Sequence, residues 1–363
     1  GNKQVQTPHL DALAAQSARF VNGYVPTSVC RPSLVTLLTG LYPHEHGATR
    51  NGITMRAGLP SLTKVLSRRG YLTGAFVGNW TLNDKLSGLA EHFDRYETLL
   101  TKSRWLFWAR ESTAEDLNEA ALAWFAERRQ ANPRQRLALW VHYVEPHAPY
   151  VNQTEFVERL GYGGRSSTKK SRYDSEVAYV DARIGELLEE VDRLLGDEPR
   201  LTVFTSDHGE SLGEHGYWGH GRHTYEPGLR IPMGITWPGV IESQVLTAPA
   251  LIIDIPSTVL GLLDLPAVPS FQGFDWAPVL LGAESPPAAR PTMFQAHRGA
   301  TQANDRERVR QRGLLEVALV DGDRKEILRI GNGNRWLFDL ANDPAETTNL
   351  DKLKSEASEE LLA

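Results

Sequence analysis

Residues 173–210 read YDSEVAYVDARIGELLEEVDRLLGDEPRLTVFTSDHGE. Val177, Val180, Ile184, Leu187, Leu188, Val191 and Leu195 recur at three- and four-residue steps, the pattern of one apolar helix face. Leu201–Thr205 is then a short apolar and β-branched run, the composition of a buried strand. A polar cluster, Ser206 to Glu210, stands at its C-terminal end. Helix, strand and polar loop in that order imply an α/β sheet, and in such sheets ligands bind beyond the C-terminal ends of the strands.

The flanking sequence repeats the alternation. Thr7 and Pro8 read as the N-cap and first residue of a helix whose face is Leu10, Leu13, Ala14, Ser17 and Phe20. A second helix begins near Ser61, turns Leu62, Val65 and Leu66 inward and stops at Gly70. YLTGAFVG (71–78) is a strand. Thr113 and Asp116 form a capping pair ahead of Leu117, Ala121, Trp124 and Phe125. LALWVHYV (137–144) is the next strand, bounded by EPHAPY. Residues 151–172, rich in Gly, Ser and Lys, read as a long loop, and RIPMGITW (230–237) as a further strand. The fold class expected is α/β: a large, mostly parallel sheet covered by helices on both faces. Composition shifts near DLPAVPS, and Pro recurs to Pro291. LLEVALV, KEILRI and RWLFDL, separated by DGDR and GNGN, then predict an antiparallel meander with tight turns. This divides the chain into domains at 1–265 and 266–363, the second a small α+β unit that ends in a surface helix or frayed tail over 351–363.

The chain has 363 residues, 41% of them hydrophobic, with nine Trp and eleven Phe, enough for a sizeable core. A net charge of −6 gives no global attraction to nucleic acid. No apolar run approaches the ~20 residues of a membrane span, so no transmembrane segment is expected. One cysteine excludes an intrachain disulfide. The sequence opens almost at once into a helix, which reads as a chain cut at its N-terminus.

That cysteine, Cys30, lies in SVCRPSLVTLLTG (28–40). Pro32 suits a first helical turn, Leu34, Leu37 and Leu38 supply an apolar face, and Gly40 ends it. Cys30 therefore stands at a helix N-terminus, where unpaired N–H groups favour an anion and a thiol is expected to have a lowered pKa. A small buried residue at a helix start is the competing reading. Asp207 and His208 follow a strand, where a carboxylate beside an imidazole can hold a cation, with Glu210 close by; an Asp that merely caps a turn is the alternative. His147 follows another strand. His215, His220 and His223 fall within nine positions, so one or more of them is expected in an anion site, while His44 and His46 lie in YPHEHG. Surface or satisfied core histidines are the plainer reading for each.

Together these residues resemble the formylglycine-dependent sulfatases of the alkaline-phosphatase-like superfamily, along nearly the whole chain. TPHLDALAAQSARF is similar to the family's first helix, and CRPSLVTLLTGLYPHEHG to its nucleophile signature C-x-P-S-R with a following helix and T-G. GYLTGAFVGNW resembles the second signature, G-Y-x-T-x-x-x-G-K-W-H. VHYVEPHAPY, YDSEVAYVDARIGELL, TSDHGESLGEHG and WLFDLANDPAETTNL match further blocks in order. The resemblance implies a hydrolase of sulfuric esters. Cys30 would be oxidised to formylglycine by a formylglycine-generating enzyme, and its hydrate would attack sulfur. Asp207 and His208 would be ligands of a divalent cation, calcium by family habit. His147 would bond the sulfate, and His220 would stand near the leaving oxygen. A small-molecule or carbohydrate sulfate ester is the implied substrate, and a periplasmic or secreted location is suggested by the family alone.

The departures are specific. The arginine after P-S is Leu34 here, and the lysine and histidine of the second signature are Asn79 and Thr81. Three cationic groups are thereby missing from one anion pocket, each charged hydrogen bond worth about 1.5–3 kcal/mol; Arg31 leaves the chain from a different position. The family strand bearing two metal-binding aspartates would precede Gly1, and Asp11 falls on the following helix, so half a metal site is expected. Two other functions fit the same scaffold: a phosphate or phosphonate ester hydrolase, and a sulfatase-like protein that binds without turnover.

Overall fold

The computed structural model describes residues 4–100, 102–105, 109–111, 113–162, 168–288, 290–297 and 313–351. In chain order the main elements are α1 (Pro8–Ala15), β1 (Ala18–Tyr24), α2 (Cys30–Thr39), α3 (Leu62–Arg68), β2 (Leu72–Val77), β3 (Arg95–Thr98), α4 (Ala114–Ala131), β4 (Leu137–His142), α5 (Thr154–Arg159), α6 (Lys169–Leu195), β5 (Thr202–Thr205), β6 (Arg230–Thr236), β7 (Gln244–Leu246), α7 (Ile255–Leu262), β8 (Thr292–His297), β9 (Leu314–Asp321), β10 (Arg324–Arg329) and β11 (Arg335–Asp339). The class is α/β, as the alternation predicts, with an antiparallel sheet near the C-terminus. The chain forms two compact units, one of residues 1–17, 61–201 and 236–239, the other of 18–60, 202–235 and 240–363.

In the first unit β2 lies between β3 and β4 and runs parallel to both. Phe76 of β2 packs with Leu117, Ala121, Trp124 and Phe125 of α4 and Leu187 and Val191 of α6. Gly74 lies under the Trp124 indole, where a Cβ would meet ring atoms at 2.8 Å. The Thr113–Asp116 capping box opens α4 as expected, and Ser61 Oγ accepts the Lys64 N–H at the start of α3. The start of α1 differs from expectation. Thr7 makes no side-chain cap; Asp181, buried on α6, accepts the N–H groups of His9 (3.2 Å) and Leu10 (2.7 Å) instead. A tertiary carboxylate thus satisfies orphan donors that a local cap would otherwise take. The expected loop over 151–172 is also corrected. It contains α5, and α6 starts at Lys169, where Thr168 and Ser171 cap each other. The polar first turn of α6 carries no apolar period, so periodicity alone starts the helix too late.

In the second unit β1 pairs antiparallel with β6 on one side and parallel with β7 and Ala250–Leu251 on the other. β5 lies beyond β6. Phe20 sits in β1, not on α1, which ends at Ala15. Ala18 and Phe20 are buried while Arg19 is exposed, a two-residue alternation that a helical reading of the same residues overlooks. Gly40 ends α2 in the left-handed region (φ 61°), with the Phe271 ring 2.9 Å from where a Cβ would stand. The C-terminal meander is an antiparallel sheet in the order β8-β9-β10-β11. Asp321 faces Arg324 across the two-residue turn that DGDR predicts. β8 is an additional strand that the Pro-rich flank conceals, and its Phe294 and Ala296 are buried. The tail expected over 351–363 lies outside the described residues from 352 onward.

Candidate active site

The second unit gathers four of the predicted site residues. Cys30 opens α2, with Val29 as the extended N-cap residue. Asp207 and His208 follow β5 directly. The chain then turns back: Ser211 pairs with Gly219 and Leu212 with Trp218. That register puts Glu210 opposite His220, and it returns His220 to the strand end. The His220 ring lies over that of His208, centroids 4.1 Å apart. A ring nitrogen of His220 and the Cys30 sulfur lie within 4.8 Å of each other.

Glycine makes this turn possible. A Cβ at Gly209 would stand 2.1 Å from the Pro227 carbonyl oxygen, and the Gly209 N–H donates to Gly228 O at 3.0 Å. Gly213, at φ 118°, lets the hairpin reverse. Past the hairpin, the Gly221 N–H donates to Ser28 Oγ at 3.1 Å, tying the return segment to the residues before Cys30.

The electrostatics follow from burial. His208 Nδ1 lies 2.8 Å from Gly209 O, so Nδ1 carries the proton and Nε2 the lone pair. Nε2 stands 3.2 Å from Cys30 Sγ and 3.5 Å from an Asp207 oxygen. Burial lowers the His208 pKa, against the pull of Asp207, and keeps the ring neutral. The Cys30 thiol is pushed well up, first by burial and then by the charge and hydrogen bond of Asp207. This reverses the expectation of a lowered thiol pKa. The helix terminus still points at the sulfur, but desolvation of a thiolate beside a carboxylate outweighs it.

Cys30 sulfur, an Asp207 carboxylate oxygen and a His208 nitrogen all lie within 4.8 Å of one another. A carboxylate, a neutral imidazole with its lone pair inward and a sulfur position converging at this spacing fit a divalent cation. Asp207 and His208 are the members that need no chemical change to serve.

The other histidines divide cleanly. His223 Nδ1 pairs with Glu316 at 3.0 Å, and His215 stacks on Tyr225 at 3.8 Å. His46 is fully buried, with Nε2 3.0 Å from Thr36 Oγ1 and 3.1 Å from Pro32 O, and braces α2. His44 meets Gln295. His147 belongs to the first unit, on the loop after β4, with Nδ1 2.7 Å from Ala148 O. Asn79, in the same unit, caps a short helix by accepting the Thr81 N–H at 2.9 Å. Leu34 is buried on α2.

The sequence alone makes Glu210 only a neighbour of the Asp–His pair. The structure places both its carboxylate oxygens against His220 Nδ1, at 3.2 and 3.3 Å. The sequence signal for this was the two short runs around Gly213–Gly216, whose hairpin register decides what faces Glu210.

A family model described as Sulfatase matches residues 1–265. The chain is 25% identical to the ulvan-active sulfatase of Formosa agariphila over 76% of its own length, and spans 60% of that relative. It is 25% identical to the choline-sulfatase of Rhizobium meliloti, covering 95% of this chain and 78% of the relative. Among solved structures, the phosphonate monoester hydrolase of Agrobacterium radiobacter superposes with a TM-score of 0.74 at 20% identity, covering 100% of this chain and 91% of that one.

Proposed function

The chain belongs to the sulfatase family, and on that premise we propose that it hydrolyses sulfuric monoesters at Cys30, within a catalytic domain over 1–265 followed by a small domain over 266–363. The observation that carries the reading is the convergence of Cys30, Asp207, His208 and His220 where β5 ends and α2 begins. In the proposed scheme Cys30 is oxidised to formylglycine by a formylglycine-generating enzyme. Formylglycine would supply, as its hydrate, one hydroxyl as the nucleophile towards sulfur and a second whose collapse to the aldehyde releases sulfate.

Asp207 and His208 would hold the divalent cation, with calcium the family's habit, and its charge would offset that of the sulfate oxygens. The bond from His208 Nδ1 to Gly209 O holds the ring so that Nε2 faces the reacting position. His220 would deliver a proton to the departing alcohol oxygen through Nε2, since Nδ1 is turned to Glu210. His147 would hydrogen-bond the sulfate. Sulfate esters of small molecules or carbohydrates are the substrate class.

The test is co-expression with a formylglycine-generating enzyme, mass spectrometry of the Cys30 peptide, and turnover of 4-nitrophenyl sulfate. Turnover that tracks the formylglycine fraction and vanishes in Cys30→Ala is expected. Full conversion without turnover of any sulfate ester would remove the reading. Phosphonate monoester hydrolysis is the second reading. It draws on Leu34, Asn79 and Thr81, which leave out cations of the sulfatase signatures, and 4-nitrophenyl phenylphosphonate in the same assay separates the two.

A further inference from the structure

We propose that Glu210 is a positioning residue: its carboxylate fixes the His220 ring and tautomer so that Nε2 serves as the proton donor to the leaving alcohol. The inference rests on the sulfatase reading above and adds to it a residue outside the expected nucleophile, metal and histidine set.

The geometry is built from three sides. The Ser211–Gly219 pairing brings residues 210 and 220 face to face. The backbone on both sides of the pair is held: Gly209 is wedged against Pro227, the Tyr217 hydroxyl donates to His220 O at 2.6 Å, and the Gly221 N–H is bonded to Ser28. The carboxylate is buried, its side chain 5% exposed, and offers both oxygens to one ring nitrogen at 3.2 and 3.3 Å. A carboxylate oxygen facing a ring nitrogen accepts, so Nδ1 carries the proton and Nε2 is the nitrogen turned away from Glu210. A ring packed against that of His208, centroids 4.1 Å apart at a 35° tilt, cannot swing away without breaking that contact. In the step itself the attacking hydroxyl oxygen forms a bond to sulfur and gives up its proton to water as the ester S–O bond breaks; the electron pair of that bond goes to the alcohol oxygen, and the Nε2 proton moves to it. The neutral ring remains bonded to Glu210 through Nδ1–H and regains its proton from water. Glu210 thus orients the ring; it does not touch substrate.

A proton donor matters in proportion to how poor the leaving group is, and this gives a readout that a merely structural carboxylate would not move. Matured wild type, Glu210→Gln and Glu210→Asp are compared on 4-nitrophenyl sulfate and on an alkyl sulfate. In Glu210→Gln, kcat on the alkyl ester is expected to fall about 100-fold, with less than about fivefold loss on the nitrophenyl ester and little change in KM. Glu210→Asp, which keeps the charge, recovers part of the loss. Calcium affinity by calorimetry stays at the wild-type value, since Glu210 is not assigned as a ligand. Nitrogen-15 spectra of the His220 ring give a second measure that needs no turnover: a single Nδ1–H tautomer in wild type, altered in Glu210→Gln. Equal losses on both esters, lost calcium affinity, or an unchanged tautomer in Glu210→Gln would each overturn the proposal. A matured wild type inert towards every sulfate ester would instead overturn the sulfatase reading, while the tautomer spectrum still decides whether Glu210 sets the ring.

Discussion

His208 Nε2 stands 3.2 Å from the Cys30 sulfur, although 178 residues separate the two in the chain. Because the other ring nitrogen is committed to Gly209 O, the nitrogen that faces the sulfur is the one with the lone pair. Cys30 is 1% exposed. A buried thiol of this kind is inert to bulky reagents. The unmatured chain should react with a disulfide reagent at least about tenfold more slowly when native than in urea. Stopped-flow absorbance measures both rates, and equal rates would show that the sulfur is open to solvent.

Leu34 leads to a prediction about maturation. It is buried on the apolar face of α2, at the position where the nucleophile signature carries arginine. Conversion of Cys30 to formylglycine should therefore be inefficient, and Leu34→Arg should raise the converted fraction severalfold. Tryptic-peptide mass spectrometry reads this directly, without depending on activity. Mostly formylglycine in the Leu34 protein would show that the arginine is dispensable here.

His92 and His297 predict an acid-sensitive stability. Burial, reinforced by Lys64, holds His92 at about 4, and burial with Arg50 and His44 holds His297 at about 4, against 6.5 ordinarily. Between those values the unfolded chain binds more protons than the folded one, so stability falls as pH drops from 6.5 towards 4 and is fully present above 6.5. Each group contributes about 3 kcal/mol to that fall. Urea midpoints measured from pH 7.5 to 4 should decline, and His92→Gln with His297→Gln should flatten the curve. An unchanged slope in the double variant would place the acid sensitivity elsewhere.

Gly74 provides a packing test. The Trp124 ring occupies the space its Cβ would need. Gly74→Val should cost about 1–3 kcal/mol through overpacking, visible as a lower Tm and changed tryptophan fluorescence. If the valine is tolerated at no cost, the close approach of α4 to β2 is looser than described.

Local chemistry explains which features were legible. The caps at Ser61 and Thr113, the strand 72–77 and the Gly322–Asp323 turn depend on residues within four positions, and they are where the sequence places them. Features that a distant residue decides were missed. Asp181 caps α1 from α6, β1 exists because Gln244–Leu246 and Arg230–Thr236 pair with it, and β8 because β9 does. The site divides the same way. The family resemblance puts Cys30, His147, Asp207, His208 and His220 forward as candidates, whereas the facing of Glu210 and His220 needs the hairpin register. The thiol pKa departs from expectation because a helix terminus can be read from sequence and burial beside Asp207 cannot.

The segment that carries His220 is held from its far side by the C-terminal sheet. Glu316 of β9 accepts from Thr224 N–H at 3.0 Å and pairs with His223, while the fully buried Lys325 of β10 bonds Glu226 at 2.9 Å and Glu346 at 2.7 Å. Removing one member of such a buried set strands the others and costs about 3–5 kcal/mol. Residue 265, where the family match ends, is therefore a poor seam for recombination. A chimera that joins residues 1–265 to another relative's C-terminal sheet inherits carboxylates and histidines whose counter-charges were left behind. Segment 220–226 and the sheet from β9 onward form a single heritable cassette, to be exchanged together or not at all.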